Sequence, residues 1–209
     1  MDLILAMKRF FKKTNPYYSD PDVQRMLAVQ RGNRLAFEEL MRNYYPRLLN
    51  FIYRFVGNQS TAEDLVQDVF VRVYNTAGRY RPKSRFQTWI YTIAKNVALN
   101  ELRRSRRLAY SLDEPTEGDE QKLYQDMGEL KENAPDEKII QKEKAVRVRA
   151  AIGQLPENQR VAIILRRYEE FSYAEIAATL NVSDKAVKSL ISRAMQNLKK
   201  QLATQADPD

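Results

Sequence analysis

Apolar residues recur every three or four positions along two long blocks of this 209-residue chain, and no stretch alternates convincingly with period two. Helices that each bury one stripe give that pattern, so the fold class it implies is all-α. A stretch of different character separates the blocks. Between Ala109 and Lys138 there are ten Asp or Glu against three Lys, together with Pro115, Gly118, Gly128 and Pro135 and no sustained apolar stripe. Such a segment cannot bury a core and reads as a tether. The expected organisation is two small helical domains, 19–108 and 139–203, joined by an acidic flexible linker, 109–138. An N-terminal extension, 1–18, and a tail, 204–209, complete the chain.

In the first block, Asp20 before Pro21 is a good helix start, and Gly32 stops that helix. A long apolar-periodic segment runs from Arg34 to Val56, with a bend expected where Pro46 removes a backbone donor. After Gly57 and Asn58, Ser60 and Glu63 have the spacing of a capping box, which predicts a helix to about Asn75. A basic loop, Ala77 to Arg85, then leads into a helix from about Phe86 to Arg107.

The formal net charge of +8 makes a polyanion the first partner to consider, because each cation that neutralises a phosphate releases condensed counterions. The chain has no cysteine and no histidine, which removes disulfides, thiolate nucleophiles, Cys/His zinc sites and imidazole bases together. No cofactor, metal or small-molecule substrate is expected. At the N-terminus the apolar residues Leu3, Ile4, Leu5 and Met7 precede the cations Lys8, Arg9, Lys12 and Lys13, the reverse of a secretory signal. No segment approaches the roughly 20 apolar residues of a membrane span. A cytoplasmic location is expected.

The sharpest local pattern lies between Ser172 and Arg193. Ser172 and Glu175 form a capping box for a short helix that turns Ile176, Ala177 and Leu180 inward. Leu180, Asn181 and Val182 supply a tight turn, and Ser183 can cap the next helix. In that helix Val187, Ile191, Ala194 and Leu198 repeat at helical spacing, which leaves Lys185, Lys188, Ser189, Ser192 and Arg193 pointing outward. A helix-turn-helix of this kind fits a major groove about 12 Å wide and offers its N-terminal side chains to base edges. A generic three-helix domain with a solvated basic face would carry the same residues. Arg160, Arg166 and Arg167, on the preceding helix, read as DNA-backbone clamps or surface charges.

Arg79 to Arg107 holds nine Lys or Arg and one acid, Glu101, with Tyr80, Phe86, Trp89 and Tyr91 interleaved. Ile90, Ile93, Ala94 and Val97 fall on one helical stripe and should be buried. Trp89, Thr92, Asn96, Asn100, Arg103 and Arg107 form the opposite one. Amides, a hydroxyl, an indole and guanidinium groups on one face suit unpaired bases, which need a positive groove, rings to stack on and donors for exposed edges. The basic loop with Arg81 and Lys83 would close over such a base. Phe86 and Trp89 fit a core equally well.

On the helix after Ser60, Leu65 and Val69 face inward, whereas Asp64 and Asp68 share an outer face with Gln67. Like charges four apart cost about 0.2–0.5 kcal/mol, offset in part near a helix N-terminus. Acids placed for the helix dipole and a docking face for a basic partner both account for the pattern.

Four motifs in order carry a resemblance: Ala62 to Phe70, Phe86 to Asn96, Leu155 to Arg160 and Tyr173 to Ala177. The chain resembles the group IV, or extracytoplasmic-function, sigma factors of bacterial RNA polymerase, over roughly residues 19–203. The resemblance implies a factor that binds core polymerase and directs initiation at specific promoters. It implies docking on the clamp helices of the largest polymerase subunit through Asp64, Gln67 and Asp68. Capture of an unpaired base of the minus-ten element would fall to Tyr80, Arg81, Lys83, Phe86, Trp89 and Asn96, with Asn100 and Arg103 further along the face. Reading of the duplex minus-thirty-five element would fall to Lys185, Lys188, Ser189, Ser192 and Arg193. An anti-sigma factor is an expected partner. The chain departs from family habit in its extension before Asp20, whose role the resemblance does not supply, and in Pro82, where relatives often carry glycine or an acid.

Two other classes deserve comparison. A stand-alone regulator would bind duplex DNA as a dimer through the helix-turn-helix alone, and the face around Trp89 and Asn96 argues against it. An enzyme would use Asp64, Asp68 and Glu63 as part of a divalent-ion shell. One helix supplies only part of such a shell and no nucleophile or base stands out, so no catalysis is expected.

Overall fold

The structure, a computed structural model, describes residues 15–112 and 146–204. Most of the N-terminal extension, the acidic linker from 113 onward, the expected helix restart at 139 and residues 205–209 lie outside the described residues. All regular elements among those described are helical. A 3-10 turn, Pro16–Ser19, precedes α1 (Pro21–Gln30), α2 (Arg34–Val56), α3 (Gln59–Thr76), a second 3-10 turn (Ala77–Arg79) and α4 (Phe86–Leu112). After the linker come α5, described over 146–153, then α6 (Glu157–Tyr168), α7 (Tyr173–Leu180) and α8 (Asp184–Thr204).

Local chemistry explains most of the boundaries. The Asp20 carboxylate accepts from the backbone N–H of Asp22 at 2.9 Å, and Pro21 fills the first turn, where no donor is needed. Gly32 takes φ +89, a left-handed conformation that ends α1, and Asn33 caps α2 through the N–H of Ala36 at 3.1 Å. Pro46 lies inside α2, which continues through it to the left-handed Gly57. The expected capping box at Ser60 does not form. Gly57 closes α2 so sharply that Asn58 is already extended, and its side chain accepts from Thr61 N–H at 2.9 Å, so α3 begins at Gln59. The linker also starts later than expected, because α4 runs four residues past 108 to Leu112.

In the first lobe α2 packs against α1, α3 and α4 around Met26, Leu40, Leu48, Phe51, Val66, Val73, Phe86 and Ile90. In the second lobe α6, α7 and α8 enclose Val161, Ile164, Phe171, Ile176, Val187 and Ala194. The lobes do not stand apart. Tyr91 of α4 is fully buried, with its ring centroid 5.1 Å from that of Phe51 in its own lobe and 5.1 Å from that of Phe171 in the other. Buried residues of both lobes therefore form one continuous apolar cluster. Aromatic pairs at this distance add about 0.5–1.5 kcal/mol each beyond the area they bury.

Candidate nucleic-acid interface

In the second lobe, short-range capping positions the outward face. Ser172 and Glu175 make the reciprocal capping box of α7, and Asn181 takes φ 55 at its end, so that Val182 N–H returns to Ala177 C=O at 3.0 Å. Ser183 Oγ then accepts from Ala186 N–H at 3.2 Å and opens α8. Val187, Ala194 and Leu198 are buried and Ile191 is half-buried, while Lys185, Lys188, Ser189, Ser192 and Arg193 all stand in solvent. The Asn197 amide donates to Gln159 at 2.9 Å and ties α8 to α6.

The first lobe presents a different kind of surface. Through the loop after α3, exposed and buried residues alternate: Arg79, Arg81 and Lys83 point out, whereas Tyr80 and Pro82 point in. A cavity of about 390 Å3 opens there, lined by Thr76, Arg79, Tyr80, Arg81, Lys83, Ser84, Trp89 and Ile93. The half-buried Trp89 ring lies 4.8 Å from Tyr80 and 5.6 Å from Phe86. Phe86 is fully buried and edge-on to Tyr44, so it is core that supports Trp89, and the expectation that it touches a base is corrected. Tyr80 is only 3% exposed, so it offers a ring edge to the cavity wall; its hydroxyl is inside and has no hydrogen-bond partner among the described residues. Burial, then the neighbouring Asp20, pushes that hydroxyl's pKa up, so it stays neutral.

Farther along α4, Asn96 and Asn100 are exposed. Asn100 and Arg103 join Arg106 and Arg107 around a basic cavity of about 520 Å3. Arg103 is already engaged: its guanidinium donates to both Glu157 oxygens of the second lobe, at 3.1 and 2.6 Å. That contact holds the Glu157 carboxyl below its ordinary range.

The acidic face of α3 is only partly free. Asp64 and Gln67 are exposed, but Asp68 accepts two bonds from its own Arg72 at 3.0–3.1 Å. This i, i+4 pair gives Asp68 a structural reason that the sequence reading had not weighed. The same face continues into Val71 and Tyr74, which are 55% and 60% exposed, an apolar extension missed from sequence. Among the described residues, no group of three or more His, Cys, Asp or Glu is placed to hold a metal ion. No described helix is long and apolar enough to cross a membrane.

Arg160 is the main correction in the second lobe. It is 1% exposed and donates to the carbonyls of Arg54 and Phe55 at 2.6 and 2.9 Å, with its guanidinium 4.9 Å from the Phe55 ring. Those carbonyls belong to the last turn of α2, where helix geometry leaves acceptors without internal donors and the dipole is negative. Arg160 thus caps a helix of the other lobe and cannot clamp DNA in this arrangement. Its spacing of four from buried Ile164 was the available signal. Nearby, buried Glu169 accepts from the Tyr91 hydroxyl and pairs with Arg47 at 3.6 Å. Burial raises its pKa against the pull of Tyr91 and Arg47. Lys95 donates to Thr179 C=O at 3.0 Å, another polar tie between the lobes besides those of Arg103, Arg160 and Glu169.

Comparison with known proteins matches both lobes. The profile of sigma-70 region 2 matches residues 40–108, and that of sigma-70 region 4 matches 145–198. The RNA polymerase sigma-H factor of Pseudomonas aeruginosa is 34% identical over 185 residues, covering 88% of this chain and 94% of that protein. The ECF RNA polymerase sigma-E factor of Escherichia coli K12 is 34% identical over 169 residues, 80% of this chain and 87% of that one. The solved structure of CnrH in complex with the cytosolic domain of CnrY has the same fold, with a TM-score of 0.65 at 24% identity, over 90% of this chain and all of that one.

Proposed function

The chain belongs to the sigma-70 family of RNA polymerase sigma factors, in its extracytoplasmic-function group, and from that membership we propose how its surfaces divide the work of starting transcription. The exposed face of α8, with Lys185, Lys188, Ser189, Ser192 and Arg193, reads the duplex minus-thirty-five element. The cavity beside Trp89, rimmed by Arg79, Arg81 and Lys83, takes an unpaired base of the minus-ten element, and Asn96 and Asn100 meet the neighbouring nucleotides. Asp64, Gln67 and Asp68, extended by Val71 and Tyr74, dock on the clamp helices of core polymerase. The first unit, read from sequence as 19–108, runs on with α4 to 112, and the proposed second unit is 139–203.

One observation carries this reading: the chain exposes two cationic surfaces of different build. An open helix face fits a groove, and a ring-floored cavity about the size of a small ligand site fits one extruded base. Such a protein is an initiation factor that works where polymerase does, in the cytoplasm, and no catalytic step is assigned to it. An anti-sigma partner is supported by the fold it shares with CnrH, solved with the cytosolic domain of CnrY, and with RpoE of Bartonella quintana, solved with the anti-sigma factor NepR.

The reading requires the lobes to part. The two promoter elements lie about 25 base pairs from each other, roughly 85 Å at about 3.4 Å per pair. Here α4 and α7 are in contact and Arg103 is held by Glu157. Engaging both elements at once breaks the ties made by Arg160, Glu169 and Lys95. In vitro transcription with core polymerase and a randomised promoter library tests the proposal. Transcripts should enrich two separated sequence blocks; initiation without sequence enrichment, or none at all, would sink it.

A further inference from the structure

The loop that forms the cavity rim is held from outside, by side chains on the N-terminal stretch 15–30 that precedes the region 2 match beginning at residue 40. Asn15 uses both ends of its carboxamide. Its oxygen accepts from Tyr17 N–H at 2.9 Å, which starts the first 3-10 turn, and its nitrogen donates to Pro82 C=O at 2.7 Å across 67 positions of chain. The Gln30 amide donates to Gly78 C=O at 3.0 Å and to Tyr80 C=O at 3.3 Å. Asp20 caps two helices at once, with one oxygen on Asp22 N–H of α1 and the other on Phe86 N–H of α4 at 3.2 Å. The stretch is itself anchored, through Gln24 to Tyr18 C=O at 2.6 Å and through Tyr17 against the core.

The register of these bonds matters. The carbonyls held are those of Gly78, inside the second 3-10 turn, and of Tyr80 and Pro82, two positions apart in the non-helical stretch that follows it. Pinning the turn at Gly78 and the backbone at Tyr80 and Pro82 holds the observed pattern, with Arg79, Arg81 and Lys83 exposed and Tyr80 and Pro82 buried. A one-residue slip would turn the cations toward the core and lift Tyr80 off Trp89. Loop backbone otherwise has few partners, and a loop left to itself must be ordered at the moment of binding, which weakens the complex.

We infer that Asn15 and Gln30, with Asp20, are positioning residues for base capture: they touch no DNA but hold the rim of the Trp89 cavity in the geometry that accepts an unpaired base. This rests on the reading of that cavity given above and assigns a role to the last residues of the N-terminal extension. The brace acts on the unpaired strand alone, since the hydrogen bonds of all three residues go to the loop, to α4 and to their own stretch, away from α8 and the acidic face of α3.

The test uses core polymerase with the full chain and single-stranded oligonucleotides that carry the minus-ten sequence enriched in the library, each position in turn made abasic. In the wild type, one position should show a large loss of affinity when its base is removed. Asn15→Asp keeps the cap oxygen and deletes the donor to Pro82; Gln30→Met keeps the shape and deletes the donor to the loop. The double variant should shrink the abasic penalty by about three- to tenfold, the scale of one or two ordinary hydrogen bonds. Binding to core polymerase and to minus-thirty-five duplex should stay as in the wild type, which a general loss of folding would not allow. Gln30→Lys, which keeps a donor, should retain most of the penalty. A penalty that Trp89→Ala removes and the double variant keeps at full size overturns the brace alone. A wild type with no abasic penalty at any position overturns the cavity reading, and the brace with it.

Discussion

The two surfaces assigned to DNA are built in opposite ways. On α8, five exposed side chains follow from one helix, opened by Ser183 and backed by Val187, Ala194 and Leu198, all within 16 residues of chain. Around Trp89 the rim comes from 79–84, its supports come from Asn15, Asp20 and Gln30, and its floor rests on Phe86 and Tyr44. A groove reader needs only a rigid rod with the right outer face, because the duplex supplies the shape. A receptor for a single base must supply the shape itself, and the bonds that do so span up to 67 positions of sequence.

Each of the following changes should strike one surface and spare the other, except the first, which probes what they share. Arg160→Ala strips two α2 carbonyls of their donor inside a closed interface. The cost should be about 2–5 kcal/mol, or roughly 5–15 °C in thermal midpoint by calorimetry, while both DNA activities persist well below that midpoint. Trp89→Ala should weaken single-stranded minus-ten binding by about 5- to 150-fold, the range of one lost stacking platform, and leave minus-thirty-five duplex binding unchanged in a gel shift. Arg193→Ala should do the converse on a similar scale, relaxing the preference at one base pair if it reads an edge and lowering affinity for all sequences alike if it holds a phosphate. Ser183→Ala removes the α8 cap, worth about 1 kcal/mol, and should lower duplex affinity about two- to fivefold by fraying the turn that carries Lys185.

The smallest effect concerns the tie between the lobes at Arg103. Arg103 depresses the Glu157 pKa in the folded chain, so the pair stabilises the closed form above the ordinary carboxylate range. That contribution fades as pH falls through the depressed value. Thermal midpoints of the wild type and Glu157→Gln should therefore differ slightly near neutrality and converge in acid. A gap that persists unchanged at low pH would mean that Arg103 is held by something other than this carboxylate.

What could be read from the chain follows the same divide. The capping box at Ser172 and Glu175, the turn at Asn181 and the inward stripe of α8 are contiguous, so spacing alone located them. The stripe Ile90, Ala94 and Val97 was legible for the same reason, whereas Ile93, expected on it, is only half-buried because it lines the cavity beside Trp89. Phe86 was given a role at the base through the resemblance alone, with a core position equally open from spacing; its packing against Tyr44, forty-two positions earlier, makes it core. The start of α3 was misplaced because Asn58, directly after the left-handed Gly57, is a cap as competent as Ser60 and comes first. Arg160 looked like a surface cation because nothing local shows that the open carbonyls of α2 lie across from it. The third face of α4, where Tyr91 and Lys95 meet the second lobe, was hidden in a helix whose other two faces had already been given roles.

Permanganate oxidation of thymines in a promoter drawn from the library, with core polymerase and this protein, asks the central question directly. Thymines of the minus-ten element should become reactive, those of the minus-thirty-five element should stay stacked and unreactive, and Trp89→Ala should abolish the first signal without exposing the second. Reactivity in both elements, or a minus-ten signal that Trp89→Ala leaves intact, would contradict the division of one chain into a duplex reader and a receptor for an extruded base.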